Sequence, residues 1–368
     1  MTTMTDGGGS KTNRGNFFED FRLGQKIRHA TPRTVGAGEV ALHTALYGSR
    51  FALSSSAPFA RAVGLRDAPL DDLLVFHLVF GKTVPDISLN AVANLGYADG
   101  RFGAPVFPGD TLSARSEVIG LKENSNGRTG TVYVRSTGVN QEGAVVLDYV
   151  RWVMVRKRDA DATATAPSVP TLPEAVLAAT LRVPAGLALA GYEPALAGAP
   201  HLWEDYAVGE RIDHVDAMTI EESEHMLATR LYQNTAKVHF NQHAAGDTRF
   251  GRRIVYGGHV ISLARALSFN GLANAFSVAA INGGRHVAPS FAGDTIYAWS
   301  EVMAAMEIPG RGDVGALRLR TVALKDRAGA DFPYKDAGGK YDPAVVLDLD
   351  YTVLMPRRAA AESLGAAR

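Results

Sequence analysis

The segment LYQNTAKVHFNQHAAG, residues 231–246, places two histidines four positions apart and close to several side-chain amides. On a helix, His239 and His243 would share one face, as the zinc ligands of the H-E-x-x-H motif do. Here the sequence between them is FNQ, so the general-base glutamate of that motif is missing, and no third ligand is apparent nearby. We therefore expect no metal at this position.

Acid–base chemistry suits His239 better, because an imidazole with a pKa near 6.5 can transfer protons at neutral pH. Asn234, five residues earlier, can orient water or substrate but cannot take a proton. The turn Tyr256-Gly257-Gly258 follows, and we expect it to open a helix whose free N–H groups stabilise a developing oxyanion. The alternative for His239 is a hydrogen-bonded histidine at a helix start, and His243 is expected to be solvated.

A basic run, TRFGRRIVYGG at residues 248–258, leads into this candidate site. Guanidinium groups are well shaped to bind phosphates or a carboxylate. The alternative interpretation of this run is a solvated loop. The predicted substrate-binding residues are Lys237, Arg249, Arg252, Arg253, Tyr256 and His259.

The chain contains an internal repeat, because three blocks recur in the same order without gaps. The matched blocks are 17–35 with 202–220, 100–118 with 284–302, and 145–158 with 345–358. The predicted organisation is a disordered N-terminus (1–15), a first copy (16–158), an Ala/Pro-rich linker (159–200), a second copy (201–358) and a tail (359–368).

Comparing the two copies isolates the residues that the fold can do without. Ser49 stands opposite Asn234 and Ser54 opposite His239, which suggests that the fold itself does not need this imidazole. Further along, we set LLVFHLVFG (73–81) opposite RIVYGGHVI (253–261).

The other histidines are less informative. His29 and His214 occupy matching positions in the two copies, which favours a structural role. Three more histidines, His77, His259 and His286, could each line a pocket or be a satisfied interior histidine.

Both copies show the same order of elements, with a first helix near 36–48 and 221–233 and a second one near 69–84 and 257–272. Three or four strand-like runs then follow, such as TVYVRSTGV and VVLDLDYTV. This order predicts an α+β fold in which each copy is an antiparallel sheet wrapped around a long helix. Each copy also has a G-D-T turn signal that opens a strand, for which we expect a structural role.

Composition excludes several classes of partner. Lys+Arg and Asp+Glu are both 38 in 368 residues, so no global field recruits nucleic acid or an anionic membrane. The chain contains no cysteine, no apolar run long enough for a membrane span and no apolar signal core at the N-terminus. We expect a cytoplasmic protein.

These residues resemble the MaoC-like hydratases in their fused double-hotdog form: two copies with G-D-T, a polar residue followed five positions later by histidine, and an I-V-x-G helix start. First-copy stretches such as NFFEDFRLGQ and LYGSRFALSSSAPFA are similar to those of mesaconyl-CoA (2-methylfumaryl-CoA) hydratases. The resemblance covers about 16–158 and 201–358. It implies a tandem hotdog in which the second copy is catalytic and the degenerate first copy widens the substrate groove.

The resemblance assigns the family histidine to His239 and the oxyanion glycine to Gly257. The family's catalytic aspartate corresponds to Asn234, so this chain departs from the family pattern at that position. Three explanations stay open: His239 works largely alone, another carboxylate such as Asp247 moves in, or the substrate's own carboxylate makes a nearby aspartate undesirable. We favour the third explanation.

The expected reaction is the reversible hydration of mesaconyl-CoA to β-methylmalyl-CoA, in the ethylmalonyl-CoA pathway. The alternatives are a 2-enoyl-CoA hydratase of different acyl preference, an acyl-CoA thioesterase or a non-catalytic acyl-CoA-binding protein. We expect no cofactor, since CoA arrives with the substrate, and we expect a homo-oligomer.

Overall fold

The computed structural model describes residues 11–161, 163 and 167–360. The first half contains β1 (Lys26–Thr34), α1 (Ala37–Tyr47), α2 (Ala52–Ser55), α3 (Ala57–Ala62), α4 (Asp72–Ile87), β2 (Ala91–Phe102), β3 (Thr111–Glu123), β4 (Thr129–Val139) and β5 (Val145–Arg156). After the short helix α5 (Pro194–Ala197), the second half contains β6 (Arg211–Thr219), α6 (Glu222–Leu231), α7 (Gln242–Gly246), α8 (Gly257–Leu267), α9 (Phe269–Leu272), β7 (Ser277–His286), β8 (Thr295–Ile308), β9 (Arg311–Lys325) and β10 (Val345–Pro356). Short 3-10 turns lie at Phe18–Asp20, Ala178–Thr180, Leu189–Gly191, Trp203–Asp205 and Lys237–His239.

The ten strands that the structure describes belong to one antiparallel sheet in the order β1-β3-β4-β5-β2-β7-β10-β9-β8-β6. Equivalent strands of the two copies follow in the same order from either edge of the sheet. Each copy contributes five strands, and the copies join edge to edge through β2 and β7. The junction pairs Tyr97 with Gly284 and Gly100 with Ile281. Because 100–118 aligns with 284–302, this register is itself symmetric, so a pseudo-twofold axis relates the two copies.

Helix α4 is the long central helix of the first copy. Almost all of its residues are buried, as expected for a helix that is apolar on every side and enclosed by a sheet and other helices. The side chain of Asp71 caps its start by accepting from the N–H of Leu73 at 2.9 Å. At Gly81, an added Cβ would lie 1.8 Å from the Tyr232 carbonyl oxygen, so only glycine permits this contact between the copies. The predicted α+β class with a duplicated antiparallel sheet is confirmed.

The repeat comparison at the start of α4 needs a correction. The N–H of Leu70 donates to the Val106 carbonyl at 2.7 Å, and the N–H of Val255 donates to the Ser290 carbonyl at 2.9 Å. Val106 and Ser290 are aligned in the repeat, so Leu70 corresponds to Val255. The counterpart of Gly257 is therefore Asp72, the first residue of α4, and setting 73–81 opposite 253–261 was wrong. The sequence comparison failed here because the apolar runs of two buried helices can be aligned almost equally well in several registers.

The predicted linker contributes to the hydrophobic core. Its side chains pack with those of α2, α3 and β9, and its buried members are Val176, Leu181, Leu187, Leu189, Tyr192 and Ala197. The two G-D-T turns have the expected structural role, since the carboxylates of Asp110 and Asp294 accept from the N–H groups of Phe107 (2.8 Å) and Phe291 (2.9 Å). Within the described residues, no helix is long and apolar enough to cross a membrane.

Candidate active site

His239 ends the 3-10 turn Lys237–His239 and is held against the segment that leads into α8. Its Nδ1 lies 3.0 Å from the Ile254 carbonyl oxygen, and the N–H of Ile254 donates to the Val238 carbonyl at 3.1 Å. Because a carbonyl can only accept, Nδ1 carries the proton and the lone pair is on Nε2. Burial lowers the pKa of His239 to about 4, against the opposing effect of the Ile254 carbonyl. The ring is therefore neutral at physiological pH and presents a base at Nε2.

Asn234 is buried, with 4% of its surface exposed, in the bend between α6 and this turn. Its Oδ1 accepts from the N–H of Ala236 at 3.0 Å, and its own N–H donates to the Thr229 carbonyl at 3.0 Å. The amide thus holds the backbone that carries His239, and its NH2 group is left for other partners. Its predicted contact with water or substrate stays a prediction.

Among the described residues, the ring of His239 has its hydrogen bond with the Ile254 carbonyl, and no carboxylate forms an ion pair with it. Asp247, considered above as a replacement, is exposed at the end of α7. The site therefore has the histidine of the family pattern without a protein carboxylate beside it.

Gly257 is the first residue of α8, and Tyr256 is its N-cap. The first N–H groups of a helix have no partner inside it, and the helix dipole adds positive potential at this end. The ring of Tyr256 lies 5.7 Å from that of His239, centroid to centroid. The start of α8 and the imidazole therefore lie close together, and their roles as oxyanion donor and base stay predictions.

His286, at the end of β7, is a further part of this site. A Cβ added to Gly257 would lie 2.4 Å from Cε1 and 2.6 Å from each nitrogen of the His286 ring, so the ring fills the space that any side chain at Gly257 would need. From the sequence, two roles stayed open for His286, which could line a pocket or be a satisfied interior histidine. The repeat carried a signal, because the aligned residue of the first copy is Phe102.

His259 lies away from Gly257 on the buried side of α8. It is fully buried, and its Nδ1 lies 3.0 Å from the hydroxyl of Tyr47, which in turn lies 2.8 Å from the Tyr232 hydroxyl. His77 is also fully buried, with its Nε2 2.9 Å from Ser262 Oγ. The structure therefore places both histidines in an interior polar network between the copies, and the predicted contact of His259 with substrate stays a prediction.

The predicted basic residues differ in their exposure and in their contacts. Arg253 forms an ion pair with Glu222, whose carboxylate also contacts His225 at 3.1 Å. Arg249 and Arg252 are exposed, stacked over Phe250 (4.5 Å) and Phe291 (4.0 Å). Lys237 is exposed on the 3-10 turn, and His243 is exposed on α7, as expected for a solvated residue. The exposed cations are available to an anionic ligand, whereas Arg253 already has a partner.

The equivalent position in the first copy is a cleft with different chemistry. Ser54, Asp72 and Phe102 line it in the places of His239, Gly257 and His286. The carboxyl of Asp72 accepts from Ser277 Oγ at 2.9 Å and from the N–H of Val278 at 2.7 Å, and burial raises its pKa to about 7. This cleft thus has neither the imidazole nor the glycine turn, and a carboxyl stands where the second copy offers backbone N–H groups.

The matched histidines are structural. His29 Nε2 lies 2.7 Å from Ser116 Oγ, and His214 Nε2 lies 2.8 Å from Ser300 Oγ. Among the residues that the structure describes, no three His, Cys, Asp or Glu side chains are grouped as metal ligands.

The chain is similar over almost its whole length to two proteins of named activity. The chain is 70% identical over 349 residues to the β-methylmalyl-CoA dehydratase of Chloroflexus aurantiacus, covering 95% of this chain and 99% of that protein. It is 64% identical over 347 residues to the mesaconyl-CoA hydratase of Cereibacter sphaeroides, covering 94% and 100%.

Solved structures with the same fold are also similar to this chain. A putative MaoC domain dehydratase from Chloroflexus aurantiacus superposes with a TM-score of 0.93 at 70% identity, covering 95% of this chain and 100% of that one. A conserved hypothetical protein of Mycobacterium tuberculosis with a double hotdog fold has a TM-score of 0.70 at 27% identity, covering 93% and 99%. The predicted tandem hotdog and the resemblance are confirmed. Residues 4–333 match the mesaconyl-CoA hydratase family, and the chain belongs to that family.

Proposed function

We propose that this protein is a hydro-lyase that adds water reversibly to mesaconyl-CoA, giving β-methylmalyl-CoA. The observation that carries the proposal is the neutral imidazole of His239, whose proton is fixed on Nδ1 by Ile254, next to the free N–H groups at the start of α8. The names of the two relatives describe the two directions of this reaction.

In the hydration direction, Nε2 of His239 takes a proton from water as the water oxygen bonds to the β-carbon, next to the free carboxylate. The electron pair of the double bond moves toward the thioester, and the enolate oxygen is stabilised by the N–H of Gly257. The imidazolium then delivers the proton to the α-carbon. Because burial keeps the pKa of His239 at about 4, its protonated form is a strong acid and returns the proton readily.

The amide of Asn234 fits a substrate that carries its own carboxylate. Two carboxylates about 6 Å apart in a medium of effective dielectric constant near 20 repel each other by on the order of 3 kcal/mol. An aspartate at position 234 would act on a dicarboxylic acyl group in this way, whereas an amide does not. The exposed Arg249, Arg252 and Lys237 are available for the CoA phosphates or this carboxylate.

The experiment is to follow the loss of enoyl-thioester absorbance with mesaconyl-CoA and crotonyl-CoA side by side, together with a free-thiol assay. We expect turnover of mesaconyl-CoA at the higher kcat/KM and no thiol release. Thiol release would instead indicate a thioesterase, and saturable binding without an absorbance change would indicate a binding protein. A preference for crotonyl-CoA would make the chain a hydratase of different acyl specificity. The cytoplasmic location, homo-oligomeric assembly and pathway stay predictions.

A further inference from the structure

His286 is placed at the start of α8 by a residue of the other copy. Tyr97, on β2 of the first copy, has its hydroxyl 3.2 Å from His286 Nε2, and the two rings pack edge to face at 5.8 Å. Tyr97 itself is 2% exposed and is fixed by the rings of Phe76 and Phe80. The junction between the copies therefore holds a side chain of the catalytic copy.

This contact favours one tautomer of His286. Burial raises the pKa of Tyr97 far above neutrality, so its hydroxyl keeps its proton and needs an acceptor. Nε2 of His286 is the acceptor in contact with it, which leaves the ring proton on Nδ1. Nδ1 has no hydrogen-bond partner among the described residues, and both ring nitrogens lie 2.6 Å from the position of a Cβ at Gly257.

The symmetry-related pair in the first copy is apolar. The aligned positions of Tyr97 and His286 are Ile281 and Phe102, and the same β2–β7 register joins both pairs. The fold can therefore form this junction without a hydroxyl or an imidazole. The polar pair occurs only at the end of the sheet junction that faces His239 and Gly257.

Building on the proposed function, we infer that His286 is a catalytic residue whose Nδ1–H donates to the thioester oxygen alongside the N–H of Gly257, and that Tyr97 is the positioning residue that fixes this tautomer. Two convergent donors stabilise an enolate oxygen better than one, and both are in place before the reaction starts. The first copy thus contributes to catalysis in the second through a single hydrogen bond.

The test compares three variants with the wild type on mesaconyl-CoA and crotonyl-CoA. His286→Phe installs the first-copy residue, and we expect kcat to fall about 10²-fold on both substrates with little change in KM. His286→Asn keeps an N–H near the position of Nδ1, and we expect it to recover at least about tenfold over His286→Phe. Tyr97→Phe should give an intermediate kcat.

Nitrogen NMR of the histidine rings supplies a readout that a purely structural role does not change. In the wild type we expect a protonated Nδ1 on His286, and in Tyr97→Phe we expect a mixture of the two tautomers. Thermal melts check that each variant is folded.

Two results would overturn the inference in an enzyme whose wild type hydrates mesaconyl-CoA. One is a folded His286→Asn variant that is no more active than His286→Phe. The other is a loss confined to mesaconyl-CoA, which would place Nδ1 on the free carboxylate. A wild-type protein that hydrates neither thioester would refute the proposed function instead, so the two failures are distinguishable.

Discussion

Gly257→Ala tests whether the close packing at the start of α8 supports catalysis. A Cβ at this position would lie 2.4–2.6 Å from three atoms of the His286 ring, whereas uncrowded carbon contacts need about 3.5 Å. Either the ring or the start of the helix must therefore move by on the order of 1 Å. A displacement of that size at a reacting centre can cost about 10²-fold in rate.

We expect Gly257→Ala to lower kcat on mesaconyl-CoA about 10²-fold while the protein stays folded, because alanine is a good residue for the first turn of a helix. The assay is the initial rate of enoyl-thioester absorbance loss at saturating substrate, with circular dichroism on the same sample. Gly246→Ala is the matched control, since nothing lies within 4 Å of its added Cβ and it sits on the neighbouring helix α7. A Gly257→Ala enzyme with kcat within about threefold of the wild type would refute the reasoning.

Three further predictions concern charge and protonation. Asn234→Asp keeps an acceptor for the N–H of Ala236 but adds a negative charge, so kcat/KM should fall at least about tenfold more on mesaconyl-CoA than on crotonyl-CoA; equal losses contradict this. Because the pKa of His239 is about 4, the base is lost only as pH falls toward that value, so kcat/KM should show no acid limb near 6.5 in a pH–rate profile. Burial holds the pKa of His259 at about 3 and that of His286 at about 4, so below about pH 6.5 the unfolded chain binds more protons than the folded one. The free energy of unfolding from urea titrations should therefore drop between about pH 7 and about pH 5, and a constant value would argue against these shifts.

The duplication could be recognised from the sequence, and His239 could be selected as the candidate acid–base residue, because both steps depend on comparing the copies position by position. Ser54 opposite His239 indicated that the fold does not need this imidazole. The same comparison misplaced the start of α4, since helices buried on all sides lack the periodicity that fixes an alignment. Only the backbone bonds of Leu70 and Val255 showed that Asp72 stands in the place of Gly257.

Contacts between the copies could not be predicted from the sequence. Tyr97 and His286 are 189 positions apart and meet only because β2 and β7 pair across the pseudo-twofold axis. The contact of His259 with Tyr47 of the first copy could not be predicted either, because the face that a helical residue presents depends on the partner elements. The burial of Leu189 and Tyr192 has the same origin, since an Ala/Pro-rich composition does not indicate which surface a segment will cover.

The central claim is that the imidazole of His239 is the general acid and base, and His239→Ala tests it most directly. In the mesaconyl-CoA absorbance assay we expect kcat to fall roughly 10²–10⁴-fold with the thermal melt almost unchanged, while His243→Ala, four residues away on the exposed surface of α7, keeps wild-type activity. A folded His239→Ala variant with near-normal turnover would remove His239 from the mechanism.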